Sequence, residues 1–317
     1  MEVLKTLKGG SLSSTKVISD GCTKFVRKSI NFKINREYGL VRWQSQIRKL
    51  QLLNKYIPES SVSIKMVGYC EDSYFYDTPY YERHVNCYEA LLQGEPENIM
   101  ADKVYILLSK MAAIQYDAIQ GALSVYIAEE VLLPLQIALK IANEDGLPLN
   151  DAELIFFKKA VSNAIVIVQD LLPKFKDIYM RESLNHGNLT LENMLWDTEK
   201  KEILLIDPYA ETYCETIMGD VSQLLQSTAS GYEFIANLYE KRDIFIYKYP
   251  DDEIPSCLVN FSEQLTKKIS GQNWYSDEYI TLFRASQFTR MFPFKMVNSP
   301  RQGVAFMVHG INLLEKI

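Results

Sequence analysis

The residues with the most chemical potential lie in one stretch, Asn185-His186-Gly187-Asn188-Leu189-Thr190-Leu191-Glu192-Asn193-Met194-Leu195-Trp196, followed by Leu205-Ile206-Asp207-Pro208. Residues 193–196 and 203–206 are apolar runs separated by a polar turn over 197–201, the pattern of a tight hairpin. An Asn just before one strand and an Asp at the end of its partner put two oxygen donors, Asn193 and Asp207, side by side. That pair suits Mg²⁺, which takes hard oxygen ligands and shares its coordination sphere with phosphates and water. An ordinary hairpin with a capping Asn and a strand-end Asp would carry the same two residues, so the pair alone leaves both readings open.

A phosphate site needs elements to position it. Residues 3–34 read as short strands and turns: a Gly/Ser loop over 8–14, the run Lys16-Val17-Ile18, the turn Ser19-Asp20-Gly21, and a second run over 23–30. Leu40, Trp43, Ile47, Leu50 and Leu53 recur at spacings of three and four, predicting an amphipathic helix over 37–56 that stops before Pro58. Two short strands are predicted at 61–69 and 73–76. From about residue 85 the rhythm lengthens into helices over 99–116, 120–143 and 151–177, the last opening after Asn150 and Asp151 as caps. Beyond the hairpin, helices are predicted near 219–230, 231–247, 257–270, 275–291 and 300–316. The result is an α+β chain with a small β-rich part over 1–84 and a larger, mostly helical part over 85–317.

Composition narrows the function classes. Across 317 residues, 34 Lys and Arg face 40 Asp and Glu, and the net charge of −6 argues against a general nucleic-acid binder. Residues 1–60 nevertheless hold 12 basic against 4 acidic residues, and the remainder 22 against 36. A folded basic segment beside an acidic one suits a polyanionic ligand with metal ions on the acidic side; a solvated charged face fits the same numbers. The apolar stretch over 122–142 is broken by Glu129, Glu130 and Lys140 and reads as core rather than a membrane span. No apolar segment at the N-terminus reads as a secretory signal. Five cysteines without C-x-x-C spacing predict reduced thiols and a cytoplasmic location. His84, His186 and His309 have no second ligand at zinc spacing.

The string H-G-N-x-x-x-x-N-M-L, with L-I-D-P ending the hairpin, resembles the catalytic loop and metal aspartate of the aminoglycoside phosphotransferase and choline-kinase-like family, whose pattern is H-G-D-x-x-x-x-N-[IL]-[LM] followed by I-D. Gly219-Asp220 before an L-L-containing helix resembles the family's next element. Gly231-Tyr232-Glu233-Phe234 is similar to the sugar-kinase-like members of surface-polysaccharide pathways. The resemblance implies a bilobal protein-kinase-like fold and assigns Asn193 and Asp207 to Mg²⁺ bridging the phosphates of ATP. It matches Gly9, Gly10 and Ser11 to the phosphate-covering loop, where glycine permits close backbone approach. It matches Lys28 to the strand lysine that meets the α- and β-phosphates, with Lys24 as second choice and Arg27 on the opposite face. Tyr80, Tyr81 and Glu82 fall where adenine is expected. His186 and Asn188 occupy the catalytic loop, His186 in the place of a residue that holds the loop through backbone hydrogen bonds. His309, on an apolar helix with Phe306, Met307 and Leu313, reads as a core histidine.

Two departures from the family pattern carry consequences. Gln46 stands where the helix pattern places a Glu partner for the strand lysine, with Glu37 near the helix start as the other option. Asn188 stands where the family has its catalytic Asp, and an amide cannot accept the proton of an attacking hydroxyl. The resemblance implies transfer of the γ-phosphate of ATP, with Mg²⁺, to a hydroxyl of a small molecule, first a sugar or sugar-derived metabolite. A cationic acceptor such as choline or an aminoglycoside is the second option, given the acidic helical part. A nucleotide-binding pseudokinase with a regulatory role is the rival class, and Asn188 is the residue that favours it.

Overall fold

In the computed structural model, which describes residues 1–7, 13–32, 36–70, 72–144, 146–209, 213–232 and 254–317, the chain divides into two compact units. One comprises Met1–Gln93 and His186–Glu211, the other Gly94–Asn185 and Thr212–Ile317. The hairpin segment thus clusters with the first unit, whereas the sequence reading assigns it to the helical part. The glycine loop at Gly9, Gly10 and Ser11 and most of the helix predicted at 231–247 lie outside the described residues.

The first unit opens with β1 (Glu2–Leu7), β2 (Ser13–Ser19) and β3 (Lys24–Asn31), then α1 (Arg36–Tyr56), β4 (Met66–Cys70) and β5 (Ser73–Pro79). They form an antiparallel sheet in the order β1-β2-β3-β5-β4. Because side chains alternate across a strand, β3 sends Lys28 and Ile30 to the buried face and Arg27 to the other. There Arg27 grips Asp77 through two 2.8 Å hydrogen bonds and lies over the Phe75 ring at 3.9 Å. Helix α1 packs on the sheet through Leu50 and Leu53, with Trp43 Nε1 donating to the Phe75 carbonyl at 3.0 Å. The strand predicted from residue 61 begins only at Met66. Residues 61–65 run to the hairpin instead, where Ser61 bridges Leu205 and buried Val62 joins Leu50, Tyr76 and Leu204 in one apolar cluster. Short β6 (His84–Asn86) leads into α2 (Cys87–Leu92), capped by the Asn86 side chain on Glu89 N at 2.8 Å.

The second unit contributes α3 (Glu97–Ala113), β7 (Gln115–Gln120), α4 (Ala122–Ile127), α5 (Leu133–Asn143), α6 (Asp151–Lys176) and β8 (Tyr179–Ser183), which pairs with β7. Asn150 does cap α6, in a reciprocal capping box with Glu153. The stretch Ala122–Asn143 is long and apolar enough to cross a membrane by length and composition. Here Leu123, Ile127, Val131, Leu135 and Ala138 are fully buried in the unit's core. One wide turn, Ala128–Leu132, interrupts it. Pro134 has no N–H to give the carbonyl of Glu130, and that carbonyl accepts the Thr289 hydroxyl at 2.8 Å.

The chain then returns to the first unit for β9 (Met194–Asp197) and β10 (Glu202–Leu205), whose sheet order is β10-β9-β6. It finishes in the second unit with α7 (Ile217–Thr228), α8 (Ser256–Ile269), α9 (Asp277–Thr289), α10 (Phe292–Asn298) and α11 (Pro300–Leu314). Phe157, Phe261, Phe283, Phe288 and Phe306 fill that unit's core. The α+β order read from the sequence, β-rich first and helical second, is the order observed.

Candidate active site

The loop before β9 is fixed from inside. His186 is fully buried, and its ring nitrogen Nε2 lies 2.9 Å from the carbonyl of Ile206. Burial pushes its pKa down to about 4, so the ring is neutral at pH 7 and serves the backbone rather than a proton. Gly187 follows with φ +75°, and a Cβ there would stand 2.0 Å from the carbonyl oxygen of Tyr209. No other residue fits that position without displacing backbone. Leu189 and Leu191 are buried anchors. Tyr209 N donates to His186 O at 3.0 Å, tying the two ends of the loop and hairpin together.

The hairpin register then sets the two candidate ligands. Leu205 pairs with Met194, and one step beyond it Ile206 N donates to Asn193 O at 3.0 Å, so Asn193 and Asp207 leave the same end of the ladder. At the other end Asp197 Oδ1 accepts from Glu199 N at 2.9 Å and Lys200 N at 3.0 Å, closing the turn. Asn193 Nδ2 donates to Asn188 O at 2.8 Å, and this fixes which end of the amide is oxygen. Asn188 Nδ2 donates to the backbone carbonyl of Asp207 at 3.4 Å. Asp207 itself sits in the left-handed region with φ +55°, which Asp tolerates better than most residues.

Strand β3 brings Lys28 to this aspartate across 179 residues of sequence. Lys28 is buried, and its Nζ forms an ion pair with Asp207 Oδ1. Burial lowers the Lys28 pKa, Asp207 opposes that shift, and Arg42 adds to it. Gln46 Nε2 donates to the same Oδ1 at 3.1 Å, while Gln46 Oε1 accepts from the Tyr76 hydroxyl at 3.4 Å. The helix position facing the lysine is therefore Gln46, an amide, and Glu37 lies exposed at the helix start. Lys24 is exposed and ion-paired with the exposed Glu82, away from Asp207. Tyr81 is half-buried against the Leu50–Tyr76 cluster and stacks on His84, with ring centroids 5.0 Å apart. His309 is buried against Phe288, with centroids 4.3 Å apart.

Among the described residues no group of three or more His, Cys, Asp or Glu converges as a metal site. Asp207 and Asn193, which leave the same end of the hairpin ladder, offer a carboxylate and an amide oxygen, donors of the kind Mg²⁺ shares with phosphate oxygens and not those of a zinc site. No protein-family model matches the sequence, and neither does any curated protein. Solved structures do match over nearly the whole chain. A fructosamine-3-kinase-like protein from Haemophilus somnus 129PT superposes with a TM-score of 0.57 at 16% identity, covering 98% of this chain and 90% of that one. A glucosamine kinase in complex with glucosamine, ADP and inorganic phosphate gives 0.53 at 9% identity, covering 96% and 92%. This is a protein-kinase-like fold.

Within that kinase-like fold, Gln46 was legible as a departure from pattern, but its contact with Asp207 was not. The α7 helix also corrects a detail. Thr216 caps it, so Gly219-Asp220 lies inside its first turn rather than before it, with Asp220 fully buried.

Proposed function

We propose that this chain is an ATP- and Mg²⁺-dependent phosphotransferase that phosphorylates a hydroxyl of a sugar or sugar-derived metabolite. The observation that carries the reading is the meeting of Lys28, Asp207 and the Asn193 end of the hairpin in one cluster. It is joined by the fold shared with a kinase bound to glucosamine, ADP and phosphate. Asp207 and Asn193 would hold Mg²⁺, which supplies charge neutralisation at the transferring phosphate. Lys28 offers a buried cation to the phosphate oxygens. Gly9, Gly10 and Ser11 are the residues to cover those phosphates, and the half-buried Tyr81, with Glu82 beside it, is the wall for the base. Asn188 would orient the acceptor hydroxyl through its side-chain oxygen, and His186 keeps the loop in place. An amino sugar is the first acceptor class to test, with choline and aminoglycosides as the cationic alternatives. A cytoplasmic setting fits the unpaired cysteines.

A thermal-shift titration tests the reading. Mg-ATP at about 100 times its Kd should stabilise the protein by ~2.7 kcal/mol through linkage. Asp207→Ala should abolish most of the Mg²⁺-dependent part of the shift. Absence of any shift with Mg-ATP or Mg-GTP refutes both the kinase and the pseudokinase readings. A shift without phosphorylated product across sugars, choline and aminoglycosides selects the pseudokinase.

A further inference from the structure

Lys28 is buried and, among the described residues, has one carboxylate partner, Asp207, which is also the candidate Mg²⁺ ligand. The helix residue facing both is the neutral Gln46, held between the Tyr76 hydroxyl and Asp207 Oδ1. An acid at position 46 would give Lys28 a second partner and leave Asp207 free to turn to a metal. With glutamine there, the two charges depend on each other.

We infer that Gln46, by being neutral, makes Mg²⁺ and nucleotide binding mutually reinforcing, because either ligand alone takes its residue at the cost of breaking the Lys28–Asp207 pair. The inference rests on the nucleotide-site reading above. Lys28 is the buried half of the pair, with 35% of the Asp207 side chain exposed, so the cost falls on the lysine: a buried charge stripped of its partner is left uncompensated in a low-dielectric setting. A metal drawing Asp207 away leaves Lys28 buried without a counter-charge. A nucleotide drawing Lys28 away leaves the Asp207 carboxylate facing phosphates. When both arrive, each charge finds a new partner: the carboxylate meets the cation and the ammonium meets the phosphate. Such coupling is reciprocal, so the factor by which Mg²⁺ tightens nucleotide binding equals the factor by which nucleotide tightens Mg²⁺. Gln46 acts through Asp207 and Lys28 and is a positioning residue rather than a catalytic one.

Calorimetric titration of Mg²⁺, of the non-hydrolysable analogue AMP-PNP in EDTA, and of each in the presence of the other measures the coupling without turnover. The equilibrium between Mg²⁺ and AMP-PNP in solution is common to every variant and drops out of the comparison. Wild type should show coupling about 10-fold or more above that of Gln46→Glu, well inside the ~5–150-fold range usual for coupled sites. Gln46→Leu, which removes the amide without adding a charge, should keep the wild-type coupling. Lys28→Met removes the buried cation, so Mg²⁺ alone should bind it more tightly than it binds wild type. Equal coupling in wild type and Gln46→Glu, or unchanged Mg²⁺ affinity in Lys28→Met, overturns the inference while leaving the nucleotide site standing. Failure of AMP-PNP to bind under any condition overturns the site reading and the inference with it.

Discussion

Asn188→Asp is the change that most directly weighs chemistry against structure in this loop. Among the described residues the Asn188 side chain makes one hydrogen bond, a long one of 3.4 Å to the Asp207 carbonyl. Replacing the amide by a carboxylate removes that donor and sets a negative oxygen near the carbonyl, a cost of about 1 kcal/mol. For a unit of this size that lowers Tm by roughly 2–4 °C. The backbone carbonyl of Asn188 is what anchors Asn193 Nδ2 at 2.8 Å, and it is untouched, so Mg-nucleotide affinity should change little. Against this small loss stands a general base at the attacking hydroxyl, worth ~10²–10⁴ in rate, or about 3–5 kcal/mol of barrier. Single-turnover rates of phosphoryl transfer, measured for both proteins across a panel of amino sugars and amino alcohols, should therefore rise by at least 10²-fold (the low end of that range) in the variant. Wild type already turning over at about 10 s⁻¹, the median of ordinary enzymes, would refute the claim that Asn188 limits the chemistry. So would a variant that binds Mg-nucleotide normally and gains nothing.

Two further outcomes follow from geometry and burial. Gly187→Ala forces a left-handed backbone at ~1–2 kcal/mol and drives a methyl into the Tyr209 carbonyl 2.0 Å away. It should lower Tm by several degrees and abolish the Mg-nucleotide shift; wild-type melting and binding would show that the loop does not need the glycine. His186 and His309 are held neutral by burial, at pKa values of about 4 and about 3, below the ~6.5 of the unfolded chain. The unfolded state therefore binds more protons below pH ~6.5, and stability present at pH 7 should fall by about 2 kcal/mol per histidine by pH 5. Urea midpoints at pH 7, 6 and 5 check this, with His309→Gln flattening the slope, and a pH-independent midpoint contradicts it.

The architecture was legible where local periodicity is strong and obscure where pairing is long-range. Helices over 36–56 and 151–176 and the hairpin around the 197–201 turn announce themselves through spacing and caps. Strands β7 and β8 did not: Gln115–Gln120 and Tyr179–Ser183 are short, the first largely exposed, and 59 or more residues apart, and each abuts a long helix whose periodicity masks it. Residues 84–92 hid a strand and a capped helix of one and a half turns, too short for a period to register. In the site, the loop residues were visible because they are contiguous. The Lys28–Asp207 pair spans the chain, and only the alternation of β3 hinted which lysine turns inward. Gln46 was visible as an anomaly, yet its hydrogen bond to Asp207 depends on how α1 lies on the sheet, which no local pattern encodes.

The hairpin between the two candidate ligands bears on how such sites diverge. Asn193 and Asp207 are neighbours because Ile206 pairs with Asn193 at the open end of a ladder, not because fourteen residues separate them. The closed end, where Asp197 caps the turn, is free to lengthen: added residues there, or matched pairs added to both strands, leave the open end in register. Deleting one residue from a single strand would rotate one ligand to the other face. Insertions in the turn should thus be tolerated in laboratory evolution and unmatched strand deletions purged. A pattern search that fixes the interval between the Asn and the Asp will miss chains that build the same pair on a longer ribbon.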